Sequence, residues 1–355
     1  MIMGTQTTKG RSMRLEYPTL HLSNTMQSLQ LAPHRPAAVI VQTFPNNKKP
    51  AILLMGPTAA GKTDLAIELA KRYPVELISV DSALVYRQMD IGTGKPSREL
   101  LQQFPHHLVD IIDPRDSYSA GQFVRDVSAL IADIHTRNRV PLLVGGTMLY
   151  FRALLRGIAD MPEADAGFRA ELMARAAVES WPALHAELAA RDPVSAQRIG
   201  PNDAQRIQRA LEVMHLTGKT MSSVQSEAQP PLPEVDYVAI GLNPVEREAL
   251  YARIEARFHQ MMLNGFLDEV HNLYSRGDLN AALPALRAVG YRQLWQHLTG
   301  ACSLEQAVQQ GILATRHLAR RQLIWMRAEP ALQWVDSLAD DALIQCERKI
   351  DNCFN

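Results

Sequence analysis

One stretch, Ala51 to Ala70, limits the folds open to this chain more than any other. Residues 56–63 read Gly56-Pro57-Thr58-Ala59-Ala60-Gly61-Lys62-Thr63, a match to G-x-x-x-x-G-K-[ST]. Before them stands the apolar run Ala51-Ile52-Leu53-Leu54-Met55; after them Leu65, Ala66, Leu69 and Ala70 recur at helical spacing. Strand, Gly-rich turn and helix are the context that a phosphate-cradling loop requires. Gly56 and Gly61 let backbone N–H groups close around phosphate oxygens, with Pro57, Thr58, Ala59 and Ala60 forming the wall between them, and the helix N-terminus adds partial positive charge. Lys62 brings a full charge to the outer phosphate, and the Thr63 hydroxyl is placed to hold Mg²⁺. A chance turn between a strand and a helix is the bland alternative, and both flanks speak against it. A di- or triphosphate ligand is expected.

The chain of 355 residues is long enough for one large domain or two smaller ones. No apolar run is long enough to span a membrane, and the net charge is zero, so a nucleic-acid partner has to be sought in local clusters. Three cysteines, Cys302, Cys346 and Cys353, give neither a disulfide framework nor a zinc spacing and fit a reducing cytosol, so a cytoplasmic location is expected. Residues 1–49 carry Lys9, Arg11, Arg14, Arg35, Lys48 and Lys49 against one acid, Glu16. They read as a leader outside the fold, either a tail, an upstream start or an organelle transit peptide.

Beyond the loop, Val75–Val80 reads as a second strand ending at Asp81. Ligands of α/β sheets sit beyond the carboxyl ends of strands, so Asp81 is placed to hold Mg²⁺ or to act as a general base, with a helix N-cap as the bland alternative. His106-His107 would point to opposite faces of a strand and read as structural. Val140–Val144 is another buried strand, ended by Gly145-Gly146-Thr147 where an ATPase would carry an acid. From Pro162 the pattern turns helical until Gln229-Pro230-Pro231-Leu232-Pro233, after which Asp236–Leu242 restores a strand. In the segment Asp203–Met214 one face holds Ile207, Ala210, Leu211 and Met214, and the other leaves Gln205 and Arg209 free for a contact. In Leu304–Arg327, Arg316, Arg320 and Arg327 fall in one arc with Arg321 beside it, and no acid lies between Glu305 and Glu329. Such a stripe suits phosphates. Trp295 and Trp325 read as core.

Several of these stretches, in order, resemble the tRNA dimethylallyltransferase (tRNA isopentenyltransferase) family in its bacterial form. They are the phosphate loop Gly56–Thr63, the segment Asp81-Ser82-Ala83-Leu84-Val85-Tyr86-Arg87-Gln88-Met89-Asp90-Ile91-Gly92-Thr93, His106–Asp110, and Gly145-Gly146-Thr147-Met148-Leu149-Tyr150. Asp203–Arg209, Arg287-Ala288-Val289-Gly290-Tyr291-Arg292-Gln293 and Arg320-Arg321-Gln322 continue the series, so that the likeness spans roughly residues 50–330. Ala60, Gly94 and Arg320 depart from the commonest family residues without removing a group that the chemistry needs.

The resemblance implies transfer of a dimethylallyl group from its diphosphate to the exocyclic amine of the adenine on the 3′ side of the anticodon, in tRNAs reading codons that begin with U. The phosphate loop would grip the leaving diphosphate with Mg²⁺, Lys62 would stabilise it, Asp81 would take the amine proton and Thr147 would hold the adenine. The positions matching the family's RNA contacts are Asp81, Ser82, Ala83, Leu84 and Thr147, then Arg169 and the run Gln205, Arg206, Ile207, Gln208, Arg209. They continue with Arg287, Ala288, Val289, Gly290, Tyr291 and Arg292, and end with Arg316, Arg320, Arg321, Gln322 and Arg327. The expected fold is α/β, a P-loop parallel-sheet core with helices on both faces, plus an all-helical insertion and a helical C-terminal part. Its expected divisions are 1–49, 50–162, 163–235, 236–330 and a tail 331–355. The expected partners are tRNA and dimethylallyl diphosphate, with no membrane, and the chain is expected to be a monomer. A small-molecule or nucleotide kinase, a prenyltransferase acting on free adenine nucleotide, and a non-enzymatic P-loop adaptor are the rival readings.

Overall fold

A computed structural model describes residues 48–354, Asp160 excepted. The expectation of a leader falls on residues almost wholly outside those described.

Six strands form one parallel sheet: β1 (Lys49–Met55), β2 (Val75–Val80), β3 (His106–His107), β4 (Val140–Gly145), β5 (Val235–Leu242) and β6 (Gln333–Val335), in the order β3-β2-β4-β1-β5-β6. Successive residues of β1 point to opposite faces, so its apolar run feeds two cores at once. Leu53 and Met55 pack with Ile78 and Leu143 under α3 (Ala120–Thr136) and α4 (Met148–Arg156). Ile52 and Leu54 pack with Leu77 and Leu142 under α1 (Lys62–Arg72) and, at the end of the chain, α14 (Ala342–Ile350). The short α2 (Arg98–Gln103) leads into β3. A Ser119/Gln122 capping box fixes the start of α3.

Between α4 and β5 come α5 (Ala166–Glu179), α6 (Trp181–Arg191), α7 (Pro193–Arg198), α8 (Ala204–Thr217) and α9 (Met221–Ser226). Leu172, Leu184, Leu188, Ile207 and Leu211 give this segment an apolar core of its own. After β5 come α10 (Arg247–Leu263), α11 (Phe266–Ser275), α12 (Tyr291–Leu298) and α13 (Leu304–Arg327), gathered around Phe258, Phe266, Tyr291 and Trp295 together with Tyr86 and Met89. A second capping box, Ser303 with Gln306, starts the 24-residue α13.

Two expectations need correcting. Residues 331–355 are not a tail outside the fold: β6 pairs with β5, and Ala342, Cys346, Ile350 and Cys353 are buried against the sheet. Nor is α13 without countercharge, because Arg316 pairs with Glu255 of α10 at 2.6 Å and lies over the Tyr251 ring. The sequence of α13 alone carries no trace of an acid supplied by another helix.

Candidate functional site

The carboxyl ends of β1, β2 and β4 carry three loops that are tied to one another. In the first, Ala59 (φ 64°) and Gly61 (φ 83°) are both left-handed, which turns successive N–H groups toward one concavity. Lys62, at the start of α1, donates from Nζ to the Pro57 carbonyl at 2.7 Å. Burial lowers its ammonium to about 8; the Asp81 carboxylate opposes that shift and Arg257 adds to it. Lys62, Asp81 and Arg257 thus share one electrostatic neighbourhood.

The second loop begins at Asp81. Its Oδ1 accepts the N–H of Ala83 at 2.8 Å and of Leu84 at 3.4 Å, which closes a turn and occupies one carboxylate oxygen; it is not a helix N-cap, since the next helix starts at Arg98. The third loop begins at Thr147. Its N–H donates to the Val80 carbonyl at 3.1 Å, and its Oγ1 accepts the Ser82 N–H at 3.0 Å, so a carboxylate and a hydroxyl from different strands end on one stitched pair of loops. The Gly145-Gly146 pair serves packing more than ligand approach. A Cβ at Gly145 would lie 2.0 Å from the Val80 carbonyl oxygen, and one at Gly146 would lie 2.4 Å from Gln322 Nε2.

Gln322 was expected on an RNA-facing surface and is instead buried, a 9% exposed amide that bolts two loops together. Its Oε1 accepts the Thr58 N–H at 2.9 Å, while its Nε2 donates to the Gly146 carbonyl at 2.8 Å. Ile207 and Tyr291 are also fully buried, Ile207 in the apolar core of α5–α9 and Tyr291 with its hydroxyl donating to Glu269 at 2.5 Å. Glu269 also accepts the N–H groups of Asp90, Ile91 and Gly92. The 287–293 segment therefore helps to hold the 81–93 loop. Gly290 is buried, and Ala288 and Val289 are partly so.

Other expected contacts are surface groups: Gln205, Arg206, Arg287, Arg292, Arg320, Arg321 and Arg327 are exposed, as is Ser82. Arg169 and Arg209 are not free. Both bind Glu212, which is 0% exposed, through Arg169 Nε and Nη2 at 2.7 and 2.9 Å and Arg209 Nη1 at 2.6 Å. Arg209 also donates to the Pro162 carbonyl, Gln208 donates to the Arg169 carbonyl, and the Asp165 N–H donates to Glu212. Burial pushes the Glu212 carboxyl up, yet these donors pull it below its ordinary value.

Sequence reasoning missed Arg253 and Arg257 on α10. Arg253 Nε donates to the carbonyl of the left-handed Ala59 at 3.0 Å. Arg257 is desolvated, which lowers its pKa; Asp81 and Asp64 oppose that shift, and among the described residues its guanidinium takes no hydrogen-bond acceptor. Gly94 makes room for it, since a Cβ there would lie 1.7 Å from Arg257 Nη2. The same guanidinium walls a cavity of about 770 Å³ with Lys95, Arg98 and Gln260. The one sequence signal was the i, i+4 spacing of the two arginines beside the core positions Ile254 and Phe258. Nothing local points such a pair at a loop 194 residues away.

Among the described residues no three His, Cys, Asp or Glu side chains gather as a metal cage, and His106 and His107 turn to the Phe104 carbonyl and to Glu76 respectively. No described helix is long and apolar enough to cross a membrane.

A family model described as IPP transferase matches residues 84–329, and one described as Isopentenyl transferase matches residues 50–111. The chain belongs to the IPP transferase family. Among its relatives is a tRNA dimethylallyltransferase of Cupriavidus taiwanensis, 54% identical over 307 residues, which are 85% of this chain and 95% of that one. One from Cupriavidus necator is 53% identical over the same shares. Of solved structures, a tRNA isopentenylpyrophosphate transferase from Bacillus halodurans aligns with TM-score 0.63 and 38% identity over 86% of this chain and 97% of that one. A eukaryotic dimethylallyltransferase described as acting on tRNA aligns with TM-score 0.72 and 26% identity over 86% of this chain and 79% of its own.

Proposed function

We propose that the chain transfers a dimethylallyl group from dimethylallyl diphosphate to the exocyclic amine of the adenine 3′-adjacent to the anticodon of tRNAs reading U-starting codons, with release of diphosphate. One observation carries the reading: the loops that begin at Asp81 and Thr147 are stitched together, through the Ser82 N–H on the Thr147 hydroxyl and the Thr147 N–H on the Val80 carbonyl, beside a phosphate loop whose lysine feels the Asp81 carboxylate. A kinase needs a group to steer a γ-phosphate; this site instead offers a base next to a diphosphate grip.

As the allylic C–O bond breaks, its electron pair leaves with the diphosphate and positive charge grows on carbon. Loop N–H groups, Lys62 and Arg257 stabilise the departing charge. The adenine amine attacks that carbon, and the carboxylate oxygen of Asp81 takes its proton. Thr147 holds the base in reach. An adenine in a stacked loop has to be extruded to arrive there.

The donor set fits Mg²⁺. Thr63 has a hydroxyl without a side-chain partner among the described residues, and the turn N–H groups on Asp81 Oδ1 leave its other oxygen to share. Mg²⁺ characteristically takes one or two protein oxygens and completes its shell with phosphate and water. When bound it would neutralise charge on the leaving diphosphate.

Gln205, Arg206, Arg287, Arg292, Arg320, Arg321 and Arg327 supply exposed polar or cationic contacts for the anticodon stem-loop. Arg169 and Arg209 join them from their fixed positions on Glu212. The helices of 163–235 form the acceptor-gripping part, which also favours tRNA over free nucleotide. The test is incubation of the purified protein with Mg²⁺, radiolabelled dimethylallyl diphosphate and unmodified tRNA. Label enters the tRNA and is lost when the target adenine is replaced. Label on free adenine nucleotide alone would move the reading to a nucleotide prenyltransferase.

A further inference from the structure

Trp325 reads as a core residue in the sequence, yet 38% of it is exposed. It lies on the rim of a groove of about 240 Å³ between α4 and α13. The floor of the groove includes Met55 and Met148, the chain neighbours of Gly56 and Thr147, so one end of it adjoins two of the three catalytic loops. From there it follows α4 to Arg156, about 12 Å at 1.5 Å per residue. The rim is aromatic and cationic: the Arg152 guanidinium lies 5.5 Å from the Trp325 ring centre and has no carboxylate partner among the described residues. The acid present, Glu329, is neutralised by Arg156 at 3.1 Å. Leu149 and Ile324, both 52% exposed, widen the apolar surface around it.

We propose that this groove receives a nucleobase flanking the target adenine, stacked against the Trp325–Arg152 pair. The inference rests on the RNA-acceptor reading above. When one base is drawn out of a loop, its neighbours lose a stacking partner, and an aromatic ring with a guanidinium beside it is a common replacement. The location suits a neighbour, because the groove starts one residue from Thr147. Its size suits a single planar group, being below the roughly 300–1,000 Å³ of sites for larger ligands. The dimethylallyl tail of the donor is the competing occupant. Against it stand the exposed rim and the cation: an aliphatic tail gains nothing from a guanidinium, whereas a base has a π-face for it.

The experiment is a cycle of protein and RNA changes. Binding of an anticodon stem-loop RNA is measured for the wild type, Trp325→Ala, Trp325→Phe and Arg152→Ala. Each is paired with intact RNA and with RNA made abasic at the 5′ or the 3′ neighbour of the target adenine. Trp325→Ala should weaken binding of the intact RNA roughly 5- to 150-fold, the range for loss of one stacked base. Trp325→Phe should keep most of the affinity. On the RNA abasic at the correct neighbour, Trp325→Ala should cost little more. Arg152→Ala, a change at an exposed residue, repeats the cycle should Trp325→Ala fail to fold. Additive losses at both neighbours overturn the proposal. So does a rise in the KM for dimethylallyl diphosphate with RNA binding unchanged, which gives the groove to the donor tail. Failure of the wild type to label intact RNA at all is a different result and removes the acceptor reading itself.

Discussion

The phosphate loop and the α5–α9 segment reach rigidity by opposite means. Around residues 56–63 the groups that matter are main-chain N–H groups and short side chains at strand ends, held by neighbours a few residues away and by Gln322. Among the described residues, its cations have no carboxylate in ion-pair contact: Lys62 is desolvated to about 8 and binds only the Pro57 carbonyl, and Arg257 has no hydrogen-bond acceptor. In α5–α9 the reverse holds. A fully buried carboxylate, Glu212, absorbs Arg169 and Arg209 and fastens Asp165 to the same spot. One region spends stability to keep charge available for an anion, and the other uses charge to hold helices in place. Substitutions in the two should therefore move activity and stability independently.

The largest effect is expected at Asp81. Asp81→Asn should lower kcat by roughly 10²- to 10⁴-fold, the usual contribution of a positioned base, with donor affinity changed less than about twofold because the phosphate grip is elsewhere. Single-turnover transfer and donor binding, measured separately, check it; near wild-type transfer removes Asp81 from the role of base.

Arg257→Ala should weaken donor binding by roughly 10- to 100-fold, the loss of charge-assisted contacts to phosphate. Its melting temperature should stay level or rise, since a desolvated cation without a hydrogen-bonded partner is gone. Glu212→Ala is the mirror image. It should cost about 3 kcal/mol of stability, toward the low end for a broken buried pair because both arginines can still reach water, and leave donor binding intact. Calorimetry and donor titration on both variants test the contrast, and a shared pattern would dissolve it.

Glu212 also gives a pH signature. Its folded carboxyl lies below the ordinary 4.5, so its contribution is complete above that value and is lost as pH falls through the folded one. The stability difference between wild type and Glu212→Gln should be flat between about pH 7 and 5 and shrink in more acid solution. A difference that grows on acidification has the wrong sign for this ion cluster.

The smallest effects belong to single surface arginines. Arg320→Ala and Arg327→Ala should each reduce the salt slope of tRNA binding by about one phosphate contact. Arg316→Ala should change it less, because Glu255 already neutralises that guanidinium. Equal slopes for all three would return the arginine stripe to an ordinary solvated face.

These expectations also mark what the sequence could show. β2 and α13 have the limits that their apolar spacing predicts, and the phosphate loop, Asp81 and Thr147 stand at strand ends as their motifs require. All are local patterns. Arg253 binds a loop 194 residues away, Arg257 lies against Gly94 in the field of Asp81, and Gln322 sits on what looked like an outward helix face, so tertiary packing alone assigns them. The short β6 pairs through main-chain groups, which leave little mark on the side-chain pattern, and α14 then covers β5 and β6. Ile207 and Tyr291 lie in stretches that resemble RNA contacts, yet their side chains pack inward and steady the residues that face out.

The central claim is that the phosphate loop holds a leaving group and never passes a phosphoryl group. The most direct measurement is stoichiometry: diphosphate released against dimethylallyl groups gained by tRNA, with ATP hydrolysis followed in a parallel reaction. The account predicts one diphosphate per group transferred, release only when acceptor tRNA is present, and no ATP turnover. Phosphate released from ATP, or diphosphate released at the same rate without tRNA, would contradict it.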